Sequence, residues 1–370
     1  MKKIVIIGST GSIGTQTLEI CKSNKEKFEV YGLTAGQNIE KLKSQIIEYN
    51  PKYYDNLDNK DLGLDKSKLI DSEKLVIDKN VDFILFASSG SNAFLPIFES
   101  LKSGKTIGLT NKEVIVTFGP LLLETAKKSG AKIYPVDSEP SAIWQCTEGD
   151  KKKLSKIILT ASGGAFRDLD ISEYKNITPE QAKKHPNWNM GEKITVDSST
   201  MMNKIFEIVE TSYLFDFPIE KIDVLIHRES LVHSMVEFID GSIKAQISKT
   251  DMKLPIQHAL SFESNDINYV NKLNLHELNT LSFSEVKPGK YPCYDFSLKY
   301  IKKGPLYISA LSIVNEILVD LFLSEKIPYT SISDLMIETL NNENFDQEMT
   351  FDNIIELREI LKNKILNKIK

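Results

Sequence analysis

Lys3-Ile4-Val5-Ile6-Ile7-Gly8-Ser9-Thr10-Gly11-Ser12-Ile13-Gly14 is an apolar strand running into a glycine-rich turn, and Thr15 to Ser23 has helical spacing. A strand, such a turn and a helix are what a dinucleotide's pyrophosphate requires. Glycines let the backbone come close, and the leading helix amides face the anion. The spacing is GxxGxxG rather than GxGxxG, and tight strand-to-helix packing would use the same residues, so the context decides. That context is a regular alternation. Strands at Val30–Thr34, Asp82–Ala87, Thr106–Leu109 and Ile133–Val136 interleave with helices at Ile39–Tyr49 and Ala93–Ser103. Short apolar runs separated by amphipathic stretches predict a mainly parallel, doubly wound sheet over residues 1–150.

The alternation breaks at the charged turn Gly149-Asp150-Lys151-Lys152-Lys153, which reads as a connection. Strand-like segments follow at Lys156–Thr160, Lys193–Val196, Val224–Ile226, Ser234–Phe238 and Ser242–Gln246, predicting a sheet of its own over 151–287. From 288 to 370, apolar residues at three- and four-residue spacing predict helices at Ile308–Ser324, Ile332–Asn341 and Phe351–Ile369. The fold class is therefore α/β, with an amino-terminal doubly wound Rossmann-like domain, a central α+β catalytic domain with its own sheet, and a carboxy-terminal helical domain.

The 370 residues are 41% apolar, enough for a large core, and carry a formal charge of −5. Interspersed charges of both signs give no basic face for nucleic acid and no polybasic anchor for a membrane. No uninterrupted apolar run is read as membrane-spanning, and the chain opens on a strand without a leader, so the expected location is the cytoplasm. Cys21, Cys146 and Cys293 lack metal spacing and are expected as buried, reduced thiols. Paired sheet edges would make a homodimer.

The strand Ile133–Val136 ends in Asp137 and Glu139, separated by Ser138. Alternate strand residues share a face, so both acids can converge at the sheet's carboxyl edge, where open α/β sheets bind ligands. Helix capping ahead of Pro140 is the alternative. Asn111-Lys112-Glu113 follows another strand at the same edge, and Lys112 there can hold a substrate oxygen or form a surface ion pair. Past the second strand stand Ala35-Gly36-Gln37-Asn38, where a cofactor without a 2′-phosphate would want an acid. The missing acid favours NADP.

On the helix Thr200–Ser212, Met201, Met202, Ile205, Phe206, Ile208 and Val209 cover most of the surface, while Asn203, Glu207 and Glu210 form one polar stripe. A helix so apolar is expected to be buried, with its stripe on a polar cavity and a third oxygen ligand at Glu207 or Glu210. The alternative is an exposed stripe carrying a Lys204–Glu207 pair. Ser198, Ser199, Thr200 and Lys204 supply hydroxyls and a charge suited to phosphate, and Ser162-Gly163-Gly164 adds another donor loop. His185-Pro186-Asn187-Trp188-Asn189-Met190-Gly191 has the composition of a lid. His227, His233, His258 and His276 are expected to be structural.

Together these segments resemble one family, the 1-deoxy-D-xylulose 5-phosphate reductoisomerases. The resemblance runs in order through Gly8–Gly14, Ala35–Asn38, Asn111–Glu113, Pro135–Glu139, Ser162–Arg167, His185–Gly191 and Val196–Lys204, and more weakly through Asp251-Met252 and Asn315-Glu316. It implies NADPH and one divalent cation (Mg2+, Mn2+ or Co2+) as cofactors and a small phosphorylated sugar as substrate. The implied metal ligands are Asp137, Glu139 and Glu207. It places Ser162, Ser198, Asn203 and Lys204 on the phosphate, Lys112, Ser138 and His185 on the substrate's polar groups, and Trp188 in the lid. Thr10, Gly11, Ser12, Ile13, Gly36, Gln37, Asn38, Asn111, Glu113 and Gly191 are the implied NADPH contacts. Gln37 stands where the family usually has a basic residue, Ala161 replaces a frequent glycine, and His227-Arg228-Glu229-Ser230 departs from the usual His-Pro-Gln-Ser. Two rivals remain: an aldehyde or semialdehyde dehydrogenase, for which Cys146 is the one suitably placed nucleophile, and a non-catalytic NADP sensor.

Overall fold

The computed structural model describes residues 1–56, 61–88, 90, 93–150, 153–188, 190–262, 269–278, 280–341, 343–345 and 347–369. Lys151 and Lys152 of the expected connection and Asn189 of the expected lid lie outside them. In chain order the first elements are β1 (Lys2–Ile7), α1 (Ser12–Ser23), β2 (Phe28–Ala35), α2 (Ile39–Tyr49), β3 (Tyr53–Asn56), α3 (Ser72–Val76), β4 (Phe83–Phe86), α4 (Phe94–Lys102), β5 (Thr106–Leu109), α5 (Lys112–Ser129), β6 (Lys132–Pro135) and α6 (Ser138–Thr147). There follow β7 (Leu154–Ala161), α7 (Pro179–Ala182), α8 (Glu192–Ser199), α9 (Met202–Phe215), β8 (Ile222–Ile226), β9 (Val232–Phe238), β10 (Ile243–Ile247), α10 (Lys253–Ser261), β11 (Ser284–Glu285), α11 (Pro292–Tyr300), α12 (Pro305–Leu323), α13 (Thr330–Leu340) and α14 (Phe351–Lys368).

These elements group into two compact units. The first comprises Met1–Val114, Leu122–Trp144 and Asp251–Lys272. Its six strands run parallel in the order β3-β2-β1-β4-β5-β6, the doubly wound arrangement. The order reverses between β1 and β4, which puts the Gly8–Gly14 turn at the switch point where such sheets take ligands. β3, α3 and the longer spans of β1 (by one residue) and β2 (by three) go beyond the predicted elements; β3 does so because Tyr53–Asn56 is short and polar and has no apolar run to betray it. The boundaries expected near 150 and 287 do not match this division. Ile256, Ala259 and Leu260 of α10 pack into the same core as Ile4, Ile6, Leu33, Phe83 and Leu85, which draws a late helix back to the first sheet.

The second unit comprises Ile115–Leu121, Gln145–Thr250 and Leu273–Lys370. Its sheet has the order β10-β9-β7-β8-β11, with β7 and β8 parallel and the other pairings antiparallel. The helices α11 to α14 belong to this unit.

Two local expectations are corrected. Lys193–Val196, predicted as a strand, is the middle of α8. Its β-branched Ile194, Thr195 and Val196 mimic strand composition, but Thr195, Val196, Asp197 and Ser198 are all buried in succession, which fits no half-buried strand, and Lys193 pairs with Asp197 one helical turn on, at 2.7 Å. The next helix begins at Met202 rather than Thr200, because Met201 adopts a left-handed φ of 62° and separates the two helices. Ser198 and Ser199 therefore end α8 instead of opening α9. A further correction concerns α12, which is long and apolar enough to cross a membrane by length and composition, although 72% of its most apolar window is buried and it carries Asn315, Glu316 and Asp320. Burial in a folded unit accounts for that apolar composition.

Candidate functional site

In the first unit the backbone builds the turn expected to take a pyrophosphate. Gly8 and Ser9 donate their amides to the Thr34 carbonyl at 3.0 and 2.9 Å, tying the turn to β2. A Cβ on Gly14 would collide with the Gly8 carbonyl and the Ser9 backbone, so only glycine permits this approach of helix to turn. Gly11 caps α1 and, having no side chain, makes no side-chain cap bond to the helix's leading amides. Thr10 is half-buried beside them. Past β2, Gln37 is exposed and Asn38 caps α2, its side chain accepting from the Lys41 amide at 3.2 Å.

At the carboxyl ends of β5 and β6, which pair in parallel with Leu109 opposite Pro135, the expected lysine and acids stand side by side. Asn111 caps α5 and spends its side chain on the frame: Oδ1 accepts from Val114, and Nδ2 donates to the carbonyls of Ser88 (3.0 Å) and Gly90 (2.7 Å). Lys112, buried in the first turn of α5, sets its Nζ 2.5 Å from Asp137 Oδ2. Glu113 follows, half-buried.

The alternation of a strand does not orient Asp137 and Glu139. β6 stops at Pro135, and Ser138 already begins α6. Asp137 stands at the cap position, its carbonyl taking the Ser141 amide at 3.0 Å and its Oδ1 the Ser138 amide at 3.1 Å, while Glu139 lies in the first helical turn. The two acids still converge, with a carboxylate oxygen of one within 4.8 Å of one of the other. Helix capping and convergence are thus the same geometry. Ser138 Oγ donates to Glu139 Oε2 at 2.5 Å.

In the second unit Glu207 and Glu210 are both fully buried, which removes the exposed-stripe alternative. Glu207 carries the local network: Asn203 Nδ2 donates to its Oε1 at 2.5 Å, Lys204 pairs with its Oε2, and Lys204 Nζ also donates to the Thr160 carbonyl near the end of β7 at 2.8 Å. Ser162 follows that strand. Its hydroxyl accepts from the Gly164 amide at 3.1 Å and lies 2.9 Å from His185 Nε2. His185 Nδ1 accepts the amides of Asn187 (3.1 Å) and Trp188 (2.9 Å), so the ring proton sits on Nε2 and points at Ser162. With two donors on its oxygen, the Ser162 hydroxyl keeps its own proton for a ligand. Trp188 meets His233 edge to face, with centroids 5.8 Å apart, and Gly191 caps α8.

Further contacts complete this frame. Arg167 donates to the Ser162 carbonyl at 2.8 Å, and Asn187 Nδ2 donates to the Arg228 carbonyl (2.7 Å) and to Ser230 Oγ (2.5 Å). The unusual His227–Ser230 segment thus anchors the expected lid, and Arg228 pairs with Asp168. No local pattern signals such contacts. The three cysteines are buried, and burial pushes Cys146 up to about 11 and Cys21 and Cys293 up to about 12. A thiol held protonated is a poor nucleophile, which counts against the dehydrogenase rival.

Three family models match the chain: 1-deoxy-D-xylulose 5-phosphate reductoisomerase over residues 4–119, the C-terminal domain of that enzyme over 133–215, and the DXP reductoisomerase C-terminal domain over 247–364. Curated 1-deoxy-D-xylulose 5-phosphate reductoisomerases from Thermoanaerobacter pseudethanolicus and Clostridium perfringens are 41% and 40% identical, covering all of this chain and 99% and 100% of their own lengths. A crystal structure of DOX-P reductoisomerase in complex with NADPH, fosmidomycin and magnesium superposes with a TM-score of 0.91 at 32% identity, over 100% of this chain and 98% of that one. The enzyme from Zymomonas mobilis in complex with NADPH gives 0.90 at 30% identity, over 100% and 99%.

Proposed function

The chain belongs to the 1-deoxy-D-xylulose 5-phosphate reductoisomerase family, and from that premise we propose that Asp137, Glu139 and Glu207 are the ligands of one divalent cation. Ser162, Ser198, Asn203 and Lys204 take the substrate's phosphate, Lys112, Ser138 and His185 its other polar groups, and Trp188 covers it. Thr10, Gly11, Ser12, Ile13, Gly36, Gln37, Asn38, Asn111, Glu113 and Gly191 contact NADPH. The enzyme converts 1-deoxy-D-xylulose 5-phosphate to 2-C-methyl-D-erythritol 4-phosphate, an NADPH- and divalent-metal-dependent rearrangement and reduction in isoprenoid precursor biosynthesis.

The residues fit both groups. Three carboxylates without a cysteine or histidine among them suit a hard cation such as Mg2+ or Mn2+. The glycine turn, closed to any Cβ at Gly14, suits a pyrophosphate. When bound, the cation supplies Lewis-acid polarisation of the ketone and its neighbouring hydroxyl, and the nicotinamide supplies the hydride.

The protein's own residues bind, orient and exclude water. Lys112, buried and charged beside Asp137, presents an ammonium to a substrate oxygen. Ser162, its oxygen already satisfied by Gly164 and His185, donates to phosphate. The rearrangement breaks and remakes a carbon–carbon bond, so fragments must not escape, and the Trp188 ring, edge to face with His233, supports its role as their cover. Phosphate contacts remote from the reacting carbons can drive that closure. One observation carries the proposal: Glu207 is wholly buried on the polar stripe of a mostly apolar helix, with Asn203 and Lys204 on its two oxygens. Taking such a charge out of water costs several kcal/mol, which core packing alone would avoid.

We place the enzyme in the cytoplasm as a homodimer. The exposed edge strand β10, with Ile243 and Ile247 outward, supports pairing between copies. The test is NADPH absorbance with 1-deoxy-D-xylulose 5-phosphate. Absorbance should fall only when a divalent cation is present and stop on adding a chelator. Oxidation that persists in chelator, or none with fresh Mg2+, would defeat the proposal.

A further inference from the structure

Two buried tyrosines behind the expected phosphate contacts have no part in the chemistry above. Tyr291 precedes α11, and its hydroxyl donates to the Gly163 carbonyl at 2.9 Å. Tyr329 precedes α13, with its hydroxyl 3.0 Å from Ser199 Oγ. Ser199 Oγ itself donates to the Val196 carbonyl at 2.7 Å, so the phenol is the donor in the second contact. The two anchored segments also meet directly. Gly163 and Gly164 have φ of 84° and 71°, and a Cβ on Gly164 would overlap the Ser198 carbonyl. This backbone turns the Gly164 amide back onto Ser162 Oγ at 3.1 Å.

The tyrosines are fixed in turn. Tyr329 meets Phe166, Tyr174 and Phe322 edge-on, with centroids 5.4, 5.8 and 5.6 Å away. Such a layer fixes the Tyr329 ring and aims its hydroxyl, while Tyr291 is held by burial at 4% exposure. Burial raises both phenols, which therefore remain donors across the physiological range.

We propose that Tyr291 and Tyr329 are positioning residues, which hold the Ser162–Gly164 loop and the Ser198–Ser199 turn in register as one cradle for the substrate's phosphate. The inference rests on the phosphate assignment made above. The carboxy-terminal helices thereby set the geometry of the phosphate site as well as covering a core. A cradle of fixed hydroxyls gains affinity by paying its ordering cost in folding, and a loop free to shift by an ångström loses that advantage.

The test uses Tyr291→Phe and Tyr329→Phe, each of which removes one oxygen, in the full-length enzyme with Mg2+ and NADPH. The KM for the sugar phosphate and the inhibition constant of inorganic phosphate should each rise about fivefold to tenfold, the value of one lost hydrogen bond to a buried partner. The KM for NADPH should stay where it is. Tyr300→Phe is the control, since its buried hydroxyl has no hydrogen-bond partner among the described residues, and it should change neither constant. Ser198→Ala tests the assignment beneath the proposal. If Ser198→Ala leaves both constants unchanged, the phosphate assignment fails. If Ser198→Ala raises them while both Tyr→Phe variants match the wild type, or only lower the melting temperature, the positioning role is overturned. Should Tyr291→Phe not fold, Tyr329→Phe alone decides by the same two constants.

Discussion

Replacing Lys204 with Met keeps the length of the buried stem and removes its charge and donors. In the native fold its Nζ meets the Thr160 carbonyl at 2.8 Å and pairs with Glu207, and neither side chain reaches water to any extent. The variant leaves a buried carboxylate without its ammonium. Breaking one side of a buried pair costs about 3 to 5 kcal/mol. The Thr160 carbonyl loses a donor for about 1 kcal/mol more. At roughly 2 to 4 °C per kcal/mol for units of this size, melting in chelator should fall by about 10 °C or more. If Glu207 is a ligand of the proposed cation, the ion would replace the missing positive charge, so saturating Mg2+ should restore more of the melting temperature in the variant than it adds to the wild type. Substrate binding should weaken independently, by about 1.5 to 3 kcal/mol if a charged hydrogen bond to phosphate is lost. Melting by differential scanning fluorimetry, with and without chelator, and steady-state KM measure the two effects. A melting temperature in chelator within about 2 °C of wild type would refute the buried pair, and an unchanged KM would refute the phosphate contact.

Gln37→Arg should raise kcat/KM for NADPH relative to NADH by about tenfold, because the exposed Gln37 offers no charge to a 2′-phosphate; an equal change for both cofactors would count against its placement there. Asp55, on β3, has its carboxyl pKa raised by burial, against the lowering effect of its bonds from Ser72. Its ionised form is therefore disfavoured by folding: the stability present below the unfolded carboxylate value is lost as pH rises through the raised native one. Asp55→Asn should melt higher than the wild type at pH 7, and the gain should vanish below about pH 3.9. A gain that grows toward acid would reverse the sign.

The strands and helices easiest to read were those with an uninterrupted apolar period, such as Lys2–Ile7 and Phe351–Lys368. Tyr53–Asn56 escaped because four polar and aromatic residues carry no such period, although their register against β2 makes them the sheet's edge. Lys193–Val196 misled because β-branched residues suit a strand locally, while packing in the second unit holds them helical. Asp137 and Glu139 do converge, but for a different reason from the one their spacing suggests. They converge through a helix's first turn, and the alternation of β6 has no part in it.

Composition, the glycine turn and the order of short apolar runs determined a doubly wound first sheet, a tight strand-to-helix turn and a set of acids, lysines and hydroxyls, since each depends on neighbours within a few residues. The partners of those groups were decided only by tertiary structure. Lys204 meets a carbonyl 44 residues away, and Tyr291 and Tyr329 find Gly163 and Ser199 across 128 and 130 residues. Lys112 likewise gains its acid only because β5 and β6 lie side by side. Periodicity records which way a side chain points along its own element. What it meets there depends on how distant segments share one core, and no local pattern carries that.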